Sequence, residues 1–321
     1  MAVTTSEIRF NDGAAYERYM GIWSQAAGER FLDWLAAAPG WSWLDVGCGN
    51  GAFTELVTRR LAPRAIAGID PSAAQIAYAR SRPALRAAEL RQGDAMALPC
   101  AAGTFDAAVM PLVIYFVSDP ALGVAEMARV VRPGGSVSAY AWDMPGGGSP
   151  YEPLFAEMRA LGMAVPAPPS PDASRLDVLH QLWTAAGLTH VDTTAITVAR
   201  TFPDRDDYWA TVNGSASVGT ALAALPADAA ARLRERLWAR LQPDAAGRIT
   251  CTGRAHAVRG RVASVAAGAR RGRRGPSTIA RQAVNYGGPA TSRRRDGQEA
   301  AQRTRYLHQV HHAGSPSGRL G

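Results

Sequence analysis

Three glycines at alternate positions, Gly47, Gly49 and Gly51, follow the carboxylate Asp45 in the run Trp43-Leu44-Asp45-Val46-Gly47-Cys48-Gly49-Asn50-Gly51. With no Cβ in the way, such a backbone can turn sharply and come within contact distance of a bound molecule. A dinucleotide fingerprint would space its glycines G-x-G-x-x-G and rest a diphosphate on amides at a helix N-terminus. Here the spacing is G-x-G-x-G, and Asp45 would repel a diphosphate and attract an ammonium group. Two further acids close short apolar stretches, Asp70 in Asp70-Pro71-Ser72 and Asp94 in Gly93-Asp94-Ala95-Met96. The three cysteines, Cys48, Cys100 and Cys251, lack C-x-x-C spacing and indicate neither a disulfide framework nor a zinc site.

The elements that must hold these residues follow from local pattern. Residues 41–46 form an apolar run with one acid and predict a buried strand, and 52–61 predict the helix after the glycine turn. Further strands are expected at 65–69, 90–92, 105–110 and 136–142, with a helix at 120–131 leading to Arg132-Pro133-Gly134-Gly135. Strand, glycine turn and helix make the entry unit of a doubly wound α/β domain, which binds ligands at the carboxyl ends of its strands. A carboxylate about 20 residues beyond the glycine turn, here Asp70, is placed to accept the hydroxyls of a ribose.

These segments, in this order over roughly 43–140, resemble class I S-adenosylmethionine-dependent methyltransferases, and within them the ubiquinone/menaquinone-biosynthesis-like branch, methyltransferase type 11. S-adenosylmethionine carries an ammonium and a sulfonium and no phosphate, which suits the sign of the site. The resemblance implies a Rossmann-like seven-stranded sheet, with 191–201 as sixth strand and 249–262 as an antiparallel seventh. It implies donor contacts from Asp45, Gly47, Cys48, Gly49, Asp70, Pro71, Asp94, Ala95, Met96 and Met110, with Asp94 on the adenine amino group and S-adenosylhomocysteine as product. It also implies that an aromatic-rich leading helix, carrying Tyr16 and Tyr19, closes over the donor; an aromatic face beside a sulfonium gains on the order of 0.5 to 2 kcal/mol. Methyltransferases acting on nucleobase amino groups place a polar-Pro-Pro-aromatic loop after the fourth strand. This chain has Met110-Pro111-Leu112-Val113 there, which favours an apolar small-molecule acceptor, aromatic, quinone-like or lipidic.

The domain scheme expected is a helical lid over 1–40 and a methyltransferase domain over 41–265. Within that domain the cofactor-binding core covers 41–142 and acceptor-side cap segments cover about 144–175 and 203–245. In the lid, helical spacing over 12–37 predicts two helices broken near Gly21 or Gly28. Ser174 is expected to cap a helix reaching Gly187, and His256 reads as a satisfied core residue rather than a base. Asp143 and Tyr115, near strand ends facing the acceptor, are guesses at a base, and no catalytic residue is assigned.

The formal charge of +8 is concentrated at the end of the chain, where 270–321 holds 11 arginines against Asp296 and Glu299. The part before it is close to neutral and does not advertise a phosphate backbone as substrate. The stretch 266–321 is basic, low in complexity and expected to be disordered. The resemblance implies an end near Arg261, and lysine is absent throughout. A solvated tail, an out-of-frame read-through and a nucleic-acid or membrane-surface arm therefore stay open for it. No apolar stretch reaches the roughly 20 residues of a membrane span, and a soluble, cytoplasmic protein is expected. The alternatives to a small-molecule methyltransferase are a nucleic-acid-associated methyltransferase or binding protein working through the basic tail, and a nicotinamide-dependent oxidoreductase on a similar sheet.

Overall fold

The computed structural model describes residues 17–215 and 218–264; Tyr16 and the basic stretch 266–321 lie outside the described residues. A seven-stranded sheet carries the domain, in the order β3-β2-β1-β4-β5-β7-β6. The strands are β1 (Ser42–Val46), β2 (Ala65–Asp70), β3 (Glu89–Gln92), β4 (Phe105–Pro111), β5 (Val131–Trp142), β6 (Thr189–Phe202) and β7 (Ile249–Arg261). The β1–β5 pairings are parallel, and β7 runs antiparallel to both β5 and β6.

β1 and β4, in the centre, are buried along their whole length, which is why both read as continuous apolar runs rather than alternations. Their amino ends are pinned by Asp106, whose Oδ2 accepts from Ser42 N (2.7 Å) and whose carboxylate also takes Arg132 and Arg64. Burial pushes Asp106 up, but the Ser42 and Arg132 hydrogen bonds and the Arg64 charge outweigh it and hold the group at about 2.

Helices α1 (Ile22–Leu35), α2 (Ala52–Leu61), α3 (Ala73–Ser81), α4 (Pro120–Val130), α5 (Glu152–Ala160) and α6 (Leu176–Ala185) accompany the sheet, and α7 (Arg205–Asn213), α8 (Val218–Ala223) and α9 (Ala227–Arg240) lie between β6 and β7 in sequence. α9 joins α5 through Arg236, whose Nε donates to Glu157 Oε2 (2.7 Å).

Of two local expectations, one is decided between its alternatives and one is corrected. A π-turn, Glu17–Gly21, precedes α1, so the boundary falls at Gly21 and not at Gly28, through which α1 runs unbroken. That glycine lets the helix lie close to its neighbours: a Cβ there would meet Leu56 Cδ2 at 2.8 Å and Tyr140 Oη at 3.2 Å. Ser174 does not cap α6. It ends a 3-10 turn, Pro171–Ser174, where its hydroxyl donates to Pro171 O and accepts from Met144 N. Among the described residues, no helix is long and apolar enough to cross a membrane.

Candidate active site at the glycine turn

The chain leaves β1 through a turn that only glycines fit easily, with Gly47 at φ 76° and Gly49 at φ 51°. The amides of Gly47 and Cys48 donate to Ile69 O on the neighbouring strand (2.7 and 3.0 Å), which fastens the turn to β2. A Cβ at Gly47 would lie 2.4 Å from Val113 Cγ2, whereas one at Gly49 would meet nothing within 4 Å. Gly47→Ala is therefore expected to lower stability by roughly 2 kcal/mol, from left-handed strain and overpacking together. Adding Val113→Ala should recover part of the loss. Urea unfolding of the single and double variants measures this, and equal losses in both would show that Val113 is not the obstacle.

Asp70, at the end of β2, faces the turn. Its Oδ2 accepts from Gly49 N (2.9 Å) and its Oδ1 from Ser72 N (2.8 Å). Burial pushes its carboxyl above the usual range, against the pull of those two amide bonds. Ser72 in turn caps α3, accepting from Gln75 N at 3.3 Å.

A cavity of about 180 Å³ opens here. Gly47, Cys48, Gly49 and Asn50 form one wall, with Asp70, Pro71, Ser72 and Gln75 beside them; Ala52, Phe53 and Ser24 close a second side, and Pro111, Leu112, Val113, Phe116 and Tyr140 the third. It thus lies at the carboxyl ends of β1, β2 and β4, where an open α/β sheet places its ligands. Asp70 is the single acidic side chain among these lining residues, and no arginine joins it.

Asp45 lies behind this wall, 1% exposed and outside the lining set. Its Oδ2 accepts from Thr54 Oγ1 at 2.7 Å, and its Oδ1 is buried with no hydrogen-bond partner among the described residues. Desolvation raises it to about 7, with the Asp70 charge adding to the rise and the Thr54 bond opposing it. Burial, with the charges of Asp45 and Asp70, also drives the Cys48 thiol far up.

The remaining expected site residues fall outside the lining set of this cavity. Asp94 turns on itself, accepting from Met96 N at 2.9 Å, with Ala95 between them, and Met96 Sδ meets Ser118 Oγ at 3.3 Å. Met110 is fully buried within β4. Tyr19 is buried, stacks on Tyr151 with ring centroids 4.3 Å apart, and its carbonyl accepts from the Tyr151 hydroxyl. Asp143 is committed to Arg254 (2.6 Å), and His256 is satisfied by Ser174 O at 2.8 Å, as its core reading expects. Tyr115 is buried edge-on against Phe116 and does not line the cavity.

The wall residues not foreseen are Asn50, Ala52, Phe53, Ser72 and Gln75, next to the two motifs, and Ser24, Pro111, Leu112, Val113, Phe116 and Tyr140, from segments that converge on them only in the fold. The apolar run after β4 was the one usable signal among them.

Asn50 is held from outside the cavity. Arg82 Nε donates to Asn50 O (2.6 Å), Arg82 also pairs with Glu55 (2.8 Å) and Glu17 (3.0 Å), and Asn50 Nδ2 donates to Glu17 Oε2 (2.8 Å). The π-turn before α1 is thereby clamped to the glycine turn. Glu17→Gln is expected to raise the dissociation rate of a molecule in the cavity about twofold, because a partly exposed charge pair is worth about 0.5 kcal/mol. The effect should shrink at high salt. Stopped-flow displacement at two ionic strengths reads it, and a rate equal to wild type at low salt would show that the clamp does not govern exit.

A parallel sheet with an antiparallel β7 between β5 and β6, and an acid-flanked glycine turn over a cavity at its carboxyl ends, make this a Rossmann-like α/β domain. Residues 44–139 match the family described as "Methyltransferase domain". It is 33% identical over 142 residues to a 2-phytyl-1,4-naphtoquinone methyltransferase of Thermosynechococcus vestitus, covering 43% of this chain and 60% of that one. It is 34% identical over 138 residues to a demethylmenaquinone methyltransferase of Renibacterium salmoninarum, covering 40% and 54%. It is 32% identical over 130 residues to a malonyl-[acyl-carrier protein] O-methyltransferase of Serratia marcescens, covering 39% and 49%. The chain thus spans between about half and 60% of the length of these relatives.

Proposed function

We propose that the protein is an S-adenosylmethionine-dependent methyltransferase acting on a small, largely apolar acceptor. The observation that carries this is the acidity of the cavity: Asp70 is its single acidic wall residue among those described, and the half-satisfied carboxyl of Asp45 stands behind the same turn. A dinucleotide would bring a diphosphate against these acids with no arginine on the wall to offset it, whereas a cationic nucleoside gains from both. The relatives named for quinones and for malonyl-[acyl-carrier protein] agree with the reaction and differ in acceptor.

When bound, S-adenosylmethionine supplies a methyl group on a sulfonium, open to displacement by a nucleophile approaching from the far side. In this reading the glycine turn lies against its amino-acid portion and Asp70 takes the ribose hydroxyls. The apolar side of the wall, Pro111, Leu112, Val113 and Phe116, keeps water from the reacting atoms. Tyr16, outside the described residues, and Tyr19 belong to the segment proposed to close over the donor, and Asp94, Ala95 and Met96 to the proposed adenine end. The helices α7–α9 are proposed as acceptor-side cover.

The wall offers no histidine or glutamate as a general base. That favours acceptors which need no base to become nucleophilic, such as a carboxylate, already ionised at neutral pH, or a neutral amine, which can attack first and lose its proton afterwards, because the enzyme then has only to hold two partners in line. Metabolite extracts incubated with the protein and isotopically labelled methyl donor test the proposal. A labelled product of one of these acceptor types is expected. Absence of any labelled product together with absence of S-adenosylhomocysteine binding would overturn the proposal.

A further inference from the structure

A second cavity, about 360 Å³, lies at the opposite edge of the sheet, against the amino ends of β1 and β6 and the last residues of β7. Its wall combines two guanidinium groups that are each laid on an indole. Arg259 sits 4.4 Å from the Trp34 ring centroid and Arg261 5.6 Å from that of Trp41. Stacking of this kind fixes the plane of the guanidinium while leaving its N–H edge directed outward, which is the arrangement that grips the oxygens of an anion.

The two arginines differ in what already engages them. Arg259 donates to Asp192 Oδ2 (2.9 Å) and to the carbonyls of Trp34 (2.8 Å) and Leu35 (3.4 Å), the last turn of α1. Arg261 has a long contact to Gly134 O (3.4 Å) and no carboxylate partner among the described residues. Beside them stands His190, which takes φ 52° where β6 breaks register between Thr189 and Asp192. A left-handed conformation at a residue other than glycine is uncommon and is held in place by its surroundings. The buried Ser136, on β5, completes the polar wall.

We propose that this second cavity is a binding site for a small dianion, a phosphoryl group or a dicarboxylate, held by Arg261 with His190 and Arg259 beside it. The Asp192 carboxylate is neutralised by Arg259, so the anion meets a wall whose balance is positive at Arg261. The site shares no wall residue with the cavity at the glycine turn. α1 nonetheless joins the two, carrying Ser24 at one and Leu35 at the other, roughly 16 Å apart at 1.5 Å per residue.

The test uses the full chain with ¹⁵N-labelled histidine, titrated separately with inorganic phosphate and with citrate, the His190 ring signal being assigned by its loss in His190→Gln. A saturable shift of that signal is expected, and its affinity should fall about tenfold in Arg261→Gln, the loss of one charge-assisted hydrogen bond. The arginines of 270–321 can bind the same anions, and the fall in affinity at His190 in Arg261→Gln separates the site from them. Response to phosphate alone assigns a phosphoryl ligand, and response to citrate alone a carboxylate one. An unmoved His190 signal, or an undiminished shift in Arg261→Gln, overturns the proposal.

Discussion

Asp70→Ala is expected to weaken binding of S-adenosylhomocysteine roughly 10- to 100-fold, as the loss of a charged hydrogen-bond acceptor worth about 1 to 3 kcal/mol. The side chain does two things at once. It is the single acidic residue on the cavity wall among those described, and its two oxygens receive the amides of Gly49 and Ser72. Alanine would free both amides and loosen the glycine turn as well as remove the proposed ribose acceptor. Asp70→Asn separates the two effects, since its amide oxygen can still accept from one of these N–H groups while the charge is gone. Calorimetry should place Asp70→Asn between wild type and Asp70→Ala. Because burial raises the Asp70 carboxyl above its usual range, ligand affinity in wild type should start to fall, as pH is lowered, earlier than for an exposed carboxylate. A folded Asp70→Ala protein with wild-type affinity would mean that the second strand does not face the ligand.

What sequence pattern could and could not reveal is clear at particular residues. The turn at Gly47 and the helix after it were legible because their causes are local: an apolar run, glycines where φ must be positive, then ten residues without a breaker, and α2 spans Ala52–Leu61 as expected. Gly28 stayed ambiguous because glycine in a helix can signal a break or a close approach, and only the positions of Leu56 and Tyr140 decide between them. Ser174 misled for a related reason, since a hydroxyl before an apolar helix can serve any nearby amide, and here it serves Met144, 30 residues away. At Asp45 the residue type pointed to the right turn while its orientation stayed hidden. The carboxyl reaches under α2 to Thr54 instead of into the cavity, and strand parity with Gly47 could not show that. Leu112, Phe116 and Tyr140 became wall residues through convergence of β4 and β5: Leu112, at φ 58°, donates its amide to Tyr140 O (2.7 Å).

Asp45→Asn is expected to change the pH dependence of stability by about 4 kcal/mol between pH 4 and pH 8, because the folded carboxyl titrates near 7 against 3.8 for the free group. The sign follows from proton counting. Below the unfolded value both states are protonated and the group contributes no slope. Between that value and about 7 the folded protein keeps a proton that the unfolded chain has released, so stability falls as pH rises. Above about 7 both states are ionised and the loss is complete. Asparagine cannot ionise, so the variant should match wild type most closely near pH 4 and exceed it at pH 8. Urea unfolding of both proteins across that range cancels the contributions of other acids, Asp106 among them. Saturating S-adenosylhomocysteine, whose ammonium would face the ionised Asp45 across the turn, should restore more stability to wild type than to the variant at pH 8. Parallel pH profiles for the two proteins would show that this carboxyl stays ionised throughout, and with that the idea of a half-satisfied acid waiting for a cation would fall.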